Sequence, residues 1–299
     1  MLAKLRRKYD FSAYLFIAPA MAFFLTFVLY PMLRGIYMSL LKYRGRRVSF
    51  VGLDNYTKLL GDQTFIKSLS NTIFIVAIAV PIVVVLSLFI AINIYNKSAH
   101  VRSFFRGVFY LPAVSSVVSI TVVWLWIYNP DFGILNYILK SMNVIEGNVQ
   151  WLGNASTAIY AVIAVLITTS IGQPIILYIA ALGNVPVELL ESAKIDGANN
   201  WTIFKNIIWP LIMPTTLYIV VTTTINSFQI FALIQLMTSG GPNYATSTIM
   251  YQVYEMGIKQ QSFGQASAWG VVLALIIALI SAVQYKYFNR DIDSEEVTI

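Results

Sequence analysis

"ELLESAKIDGANNWTIFKNIIWPLIMP", residues 188–214, packs five charges, Glu188, Glu191, Lys194, Asp196 and Lys205, between two long uncharged runs. No Asp, Glu, Lys or Arg falls between 147 and 187, and none between 206 and 254. Runs of that kind are read against a bilayer, whose hydrocarbon of roughly 30 Å takes about 20 helical residues to cross. The interlude is then a polar connection between two spans, and the rest of the chain can be divided by the same rule.

Four more uncharged stretches pass the test, at 11–33, 68–96, 107–130 and 260–285. The composition agrees: of 299 residues 58% are hydrophobic, only 11% are charged, and the mean hydropathy is +0.72. That leaves too little polar surface for a soluble globule of this size. The fourth and fifth runs are too long to be helical throughout, and the turn-rich stretches "WLGNAS" (151–156) and "SGGPN" (239–243) divide them. The sequence therefore predicts an all-α integral membrane protein, one domain over 1–299, with six transmembrane helices near 12–34, 70–95, 107–128, 157–183, 208–237 and 263–286. The opening "MLAKLRRKYD" has the charge of a signal peptide, but the uncharged run after it is too long for a cleaved one, so a retained first helix is expected.

Six spans put both termini on one side. Lys and Arg number eleven in the N-terminus, the second loop, the interlude and the C-terminus, against eight in the other loops. Six of those eight lie between Lys42 and Lys67, where "SFVGLDNYTKLLGDQTFIKSLSNT" (49–72) reads as a partly amphipathic surface segment. With that loop set aside the division is eleven to two, which places both termini in the cytoplasm. The net charge of +7 fits these basic flanks and calls for no nucleic acid.

Several chemistries are excluded. The chain has no cysteine, so it has no disulfide, thiolate metal site or catalytic thiol. All thirteen acidic residues and the only histidine, His100, fall outside the predicted spans, so no intramembrane cluster exists for acid–base, metal or proton-relay work. No glycine is followed by lysine, which rules out a phosphate-cradling GxxxxGK[ST] loop. The chain is read as a non-enzymatic transport subunit with no cofactor or metal of its own, and uphill work has to be powered by a partner.

The interlude reads as helix, glycine corner, helix. Pro186 suits a first helical turn, Glu188 and Glu191 lie toward the positive end of the helix dipole, and Gly197 is placed to stop the helix. Asn199 or Asn200 then caps a second helix through "WTIFKNIIW" toward Pro210. Leu189, Ala193 and Gly197 form a stripe that grows barer toward the corner. Two readings stay open on these grounds: an ordinary amphipathic connection on the membrane surface, or a docking element for another protein's backbone.

A candidate pathway wall follows the interlude. Thr222, Thr223, Asn226, Ser227 and Gln229, but not Thr224, fall within an arc of about 160° at 100° per residue. Upstream, "TTSIGQP" (168–174) holds Gly172 and Pro174, which can interrupt a helix and open backbone groups toward a cavity. Interhelical hydrogen bonding and a plain proline kink are the competing readings. A neutral sugar fits such a wall, because it needs hydrogen-bonding side chains and apolar faces but no charge.

"ESAKIDGA" followed by "FKNIIWPLIMP" resembles the EAA loop of permease subunits of bacterial ATP-binding-cassette (ABC) importers. Glu191, Ala193, Asp196, Gly197, Ala198, Phe204, Ile207 and Pro210 match that pattern, and Ser192 replaces its first alanine. "FVGLDNY" (50–56), "NT" (71–72), "FFRGVFYLP" (104–112), "MTSGGPNYATST" (237–248) and "SFGQASAWGVVL" (262–273) resemble the carbohydrate-importing, maltose-transporter branch. The resemblance implies a type I ABC importer permease fold in a bacterial cell membrane. It implies a cytoplasmic coupling loop near 186–205 that docks an ATPase, with Glu188, Glu191, Ser192, Ala193, Asp196, Gly197 and Ala198 as its residues. It also implies a substrate site with Gly172, Gln173, Thr223, Asn226, Ser227 and Gln229 as contacts; Ile175 and Ile230 stand where the branch has an aromatic residue and an asparagine. The implied partners are a second homologous permease subunit, two ATPase subunits that use ATP and Mg, an extracytoplasmic sugar-binding protein and membrane lipid. The alternatives are a membrane scaffold or channel without an ATPase, and an ABC permease for a non-sugar solute.

Overall fold

The computed structural model describes residues 14–44 and 47–296, with side chains, Arg44 excepted, as far as Tyr287. The basic start of the chain, Lys4, Arg6, Arg7 and Lys8, lies outside the described residues. Helix α1 is Tyr14–Ser39. A two-stranded antiparallel hairpin follows, β1 (Leu41–Arg44) and β2 (Arg47–Phe50), and then helices α2 (Asp54–Leu60), α3 (Gln63–Tyr95), α4 (Ala99–Val114), α5 (Val117–Ile127), α6 (Ile134–Ser141), α7 (Ala155–Ser170), α8 (Gly172–Gly183) and α9 (Val187–Ile195). Helix α10 is Asn200–Phe228, followed by α11 (Ala232–Met237), α12 (Ile249–Tyr254) and α13 (Phe263–Glu296).

Among the described residues four helices, α1, α3, α10 and α13, are long and apolar enough to cross a membrane, and up to six segments qualify if the bent pairs α4–α5 and α7–α8 each count as one. The chain is mostly helical and multi-pass, as its charge pattern predicts. The expected third helix, 107–128, is two helices meeting at 100°. Pro112 weakens the last turn of α4, and Ser115 leaves the helix in an extended conformation while its hydroxyl donates to the Leu111 carbonyl at 2.7 Å. The expected fifth helix, 208–237, begins earlier and ends sooner. Asn199 caps α10 by accepting from the Thr202 N–H at 2.9 Å. A π-turn at Phe204–Ile208 then carries the helix past Pro210, the widened turn taking up the clash a proline ring makes with the carbonyl four residues back.

The contacts form two compact units. The first holds the residues up to Asp62 together with Val253–Val272. Its centre is the backbone between α1 and β1, where Asn55 Nδ2 donates to the Ser39 and Leu41 carbonyls at 2.7 and 2.9 Å. Gly264 lies against the same carbonyl, since a Cβ there would stand within 1.9 Å of Leu41 O. "FVGLDNY" and "SFGQAS", far apart in sequence, thus hold one strand start.

The second unit holds Gln63–Gln252 and the chain from Leu273 onward. Helix α3 packs on α8 and α10 through Val83, Ala91, Ile94, Ile175, Tyr178, Ile179, Ile212 and Ile219, all buried. A second apolar cluster joins α5, α7 and α11 through Val162, Val165, Leu233 and Ile234. Beside them lies a buried polar network that holds the "TSGGP" loop. Asn71 Nδ2 donates to the carbonyls of Tyr244 (2.7 Å) and Ser247 (2.9 Å), Gln252 Nε2 donates to Ser247 Oγ, and Thr72 Oγ1 accepts from the Ile249 N–H. Every buried polar group in this chain of bonds has a partner, which is what permits its burial.

Candidate functional site

The interlude folds into a short helix closed by a glycine. Pro186 is the residue before the first turn of α9, not within it, and Glu188 sits in that turn. At the far end the Gly197 N–H donates to the Lys194 carbonyl and the Ala198 N–H to the Ala193 carbonyl, at 3.1 and 2.9 Å. This paired closure needs a left-handed residue after the cap, and Gly197 supplies it with φ +78°. A Cβ at Gly197 would meet nothing within 4 Å, so the backbone turn and not crowding requires the glycine.

No residue of α9 is buried. Glu188, Glu191, Ser192, Asp196 and Gly197 are exposed, and Ala193 and Ala198 are half-buried. The helix is held from behind, by Leu190 packed on the α3–α8–α10 cluster and by buried Val185 at its entry. Its most exposed apolar side chain is Ile195, 86% exposed, which the stripe of Leu189, Ala193 and Gly197 leaves out. The sequence signal was there: an isolated β-branched apolar residue between Lys194 and Asp196 has no reason to face water on its own account.

The second expected site is partly assembled. A cavity of about 190 Å³ between α7, α8 and α10 is lined by Thr169, Ser170, Gln173, Pro174, Thr222, Thr223 and Asn226, with Ala113 of α4 and the apolar Leu177 and Ile219. Gln173 and Asn226 are exposed, and their side chains make no hydrogen bond to the described residues. The hydroxyls of Thr169 and Thr222 bond back to their own helices, at 2.9 Å to Leu166 O and 2.7 Å to Tyr218 O, which leaves their acceptor lone pairs for a ligand. Pro174 cannot donate to the Ser170 carbonyl four residues back, and both residues line the cavity at the 41° bend between α7 and α8. No carboxylate, ammonium or guanidinium lines it.

The other candidates lie elsewhere. Gly172 is a packing residue: a Cβ there would stand 2.4 Å from the Phe109 carbonyl oxygen of α4. Ser227 is buried, 1% exposed, and Gln229 caps the end of α10, so neither lines the cavity. Thr224 faces away from the polar arc and accepts from Gln284 Nε2 of α13 at 2.9 Å, so interhelical bonding is the use of this threonine alone in the set. Ile175 and Ile230, the two departures from the sugar-importing pattern, are both buried in apolar clusters. Thr169 and Ser170 are cavity residues that the Gly-x-Pro reading passed over, although they stand in the same "TTSIGQP".

Comparisons with known proteins give the family and the fold. Residues 61–294 match the family described as the binding-protein-dependent transport system inner membrane component. The chain is 32% identical to the lactose transport system permease protein LacF of Rhizobium radiobacter over 286 residues, covering 95% of this chain and 96% of that one. It is 29% identical to the sn-glycerol-3-phosphate transport system permease protein UgpA of Agrobacterium fabrum, over 93% and 94% of the two chains. Its fold is similar to that of a chain in a bacterial alginate ABC transporter solved with an alginate pentasaccharide-bound periplasmic protein, with a TM-score of 0.84, 23% identity, and coverage of 95% and 96%. By the span of the match and the curated relatives, the chain belongs to the binding-protein-dependent transport system inner membrane component family of ABC transporter permeases.

Proposed function

We propose that the chain is the membrane-spanning half of an ATP-driven importer for a neutral sugar or oligosaccharide. It pairs with a second, homologous permease subunit, receives its solute from an extracytoplasmic binding protein, and is moved by two ATPase subunits that bind the ATP and Mg. The observation that carries the reading is the uncovered outer face of α9, an exposed helix fixed only from behind and ended by a left-handed glycine between two spans. Such an element offers a rigid knob to a partner, and Glu191, Ala193, Ile195 and Gly197 form it. Both termini are cytoplasmic in this reading, on the same side as α9.

The cavity supports the substrate class. Amide and hydroxyl groups of Gln173, Asn226, Thr222 and Ser170 suit sugar hydroxyls, and Leu177 and Ile219 suit its C–H faces. The relatives include permeases named for lactose and for sn-glycerol 3-phosphate. With no cationic side chain at the cavity, a neutral sugar fits better than a phosphate ester. The test is uptake of labelled neutral oligosaccharides and of sn-glycerol 3-phosphate into proteoliposomes holding the chain with its partner subunits. ATP-dependent accumulation of a neutral sugar is expected. Accumulation of the phosphate ester alone, or accumulation without any ATPase, overturns the proposal.

A further inference from the structure

Behind α9 lies a cavity of about 350 Å³ that the transport reading leaves without a role. Its walls are mostly apolar: Ile92 and Tyr95 at the end of α3, Leu182 of α8, Val185 and Leu190 at α9, and Ile203, Phe204 and Ile208 at the start of α10. Asn96, Lys194 and Asn200 form the polar part of the lining. The volume falls within the roughly 300–1,000 Å³ usual for ligand pockets.

Two observations say what would fill it. First, Ile92 is exposed three residues before α3, a helix long and apolar enough to cross a membrane, ends at Tyr95, so the apolar part of the cavity continues an exposed apolar surface at the end of a candidate span. Second, the ammonium of Lys194 has no ion pair among the described residues. The other charges of this region are Glu188 and Glu191 on α9, Asp196 at its end, Lys205 on α10, and Lys97 and Arg102 beyond the end of α3, where Arg102 donates to the Tyr95 carbonyl at 3.2 Å. With Lys194 the cations number four against three acids, and none of the acids lines the cavity. An apolar pocket at the end of a candidate span, with amides and an unpaired cation at its rim, matches an acyl chain under an anionic headgroup.

We infer that this cavity is a site for an anionic phospholipid, whose acyl chain lies between Ile92, Leu190 and Ile208 and whose phosphate is met by Lys194, Asn96 and Asn200. A lipid bound there would pack behind α9 and hold it against α3 and α10. The site depends on the chain's place in the membrane and not on which solute crosses or on what docks α9.

The test is native mass spectrometry of the full chain released from nanodiscs of mixed phosphatidylglycerol and phosphatidylcholine. Retention of one phosphatidylglycerol in preference to phosphatidylcholine is expected. Lys194→Gln should cut that preference by about fivefold. Ile92→Trp, at an exposed position where folding is not at stake, should obstruct the chain's entry and lower retention of either lipid. Free glycerol phosphate should not compete, because it lacks the acyl chain. Equal retention of the two lipids, or a preference unchanged in both variants, overturns the inference, and so does displacement by glycerol phosphate.

Discussion

A β-carbon on Gly172 would stand 2.4 Å from the Phe109 carbonyl oxygen and 3.0 Å from the Tyr110 Cα, so α8 and α4 meet backbone to backbone. Ala113 and Gln173, one turn and one residue away from that contact, both line the polar cavity. The contact therefore fixes the spacing of two cavity walls. Gly172→Ala should destabilise the chain by about 1–3 kcal/mol through overpacking, read as a lower melting temperature in detergent, and uptake should fall with it. A melting temperature equal to that of the unaltered chain would show that the helices part without cost.

The cavity's own side chains make a separate prediction. Gln173→Ala with Asn226→Ala removes two uncharged hydrogen-bonding groups, each worth about 0.5–1.5 kcal/mol, so half-maximal uptake should need about tenfold more solute. Copurification of the ATPase should be unchanged. Gln229→Ala, outside the cavity, should leave uptake as it was.

The network under the "TSGGP" loop bears on folding. Asn71→Ala leaves the Ser247 carbonyl without its donor, at a cost of about 1–3 kcal/mol. Asn71→Asp should be no better, because a carboxylate cannot donate to either carbonyl. Thermal unfolding checks both, and an unshifted transition in Asn71→Ala would mean that water replaces the amide.

Gly197 separates backbone from space. With φ +78° and nothing within 4 Å of a Cβ, replacement is opposed by the left-handed conformation alone, at roughly 1–2 kcal/mol for an ordinary residue. Gly197→Asn, which adopts that conformation readily, should keep the fold of α9, and Gly197→Val should not. If both fold and both lose the ATPase on purification, the bare surface at Gly197 is itself part of the docking face.

Much of this was legible in the residues. Gaps between charges marked the long apolar helices because a bilayer penalises every charge, and Asn199 and Gly197 marked helix boundaries because capping chemistry is local. Thr224 could be set apart from its neighbours by angle alone, and its bond to Gln284 gives the reason. The 100° bend at Ser115–Ser116 was hidden because an uncharged run carries no sign of direction, and Pro112 alone does not announce a break. The hairpin Leu41–Phe50 was hidden because each strand has only four residues, so the alternation of "LKYR" and "RVSF" is too short to stand out in a charged loop. Gly172 looked like a helix breaker, and only its neighbour across the fold, Phe109, shows that it is a contact. Ser227 and Gln229 shared an arc with Asn226, but burial and the end of α10 remove them from the cavity, and periodicity registers neither.

The account turns on α9 being gripped by an ATPase. Because the chain has no cysteine, Ile195→Cys introduces a single thiol at the most exposed apolar side chain of that helix. The direct measurement is maleimide labelling of this thiol in membranes with and without the ATPase subunits, followed by a short bifunctional crosslinker. The account predicts protection when the ATPase is present and a crosslinked product containing one ATPase subunit. Equal labelling in both membranes, with no crosslink, would contradict it.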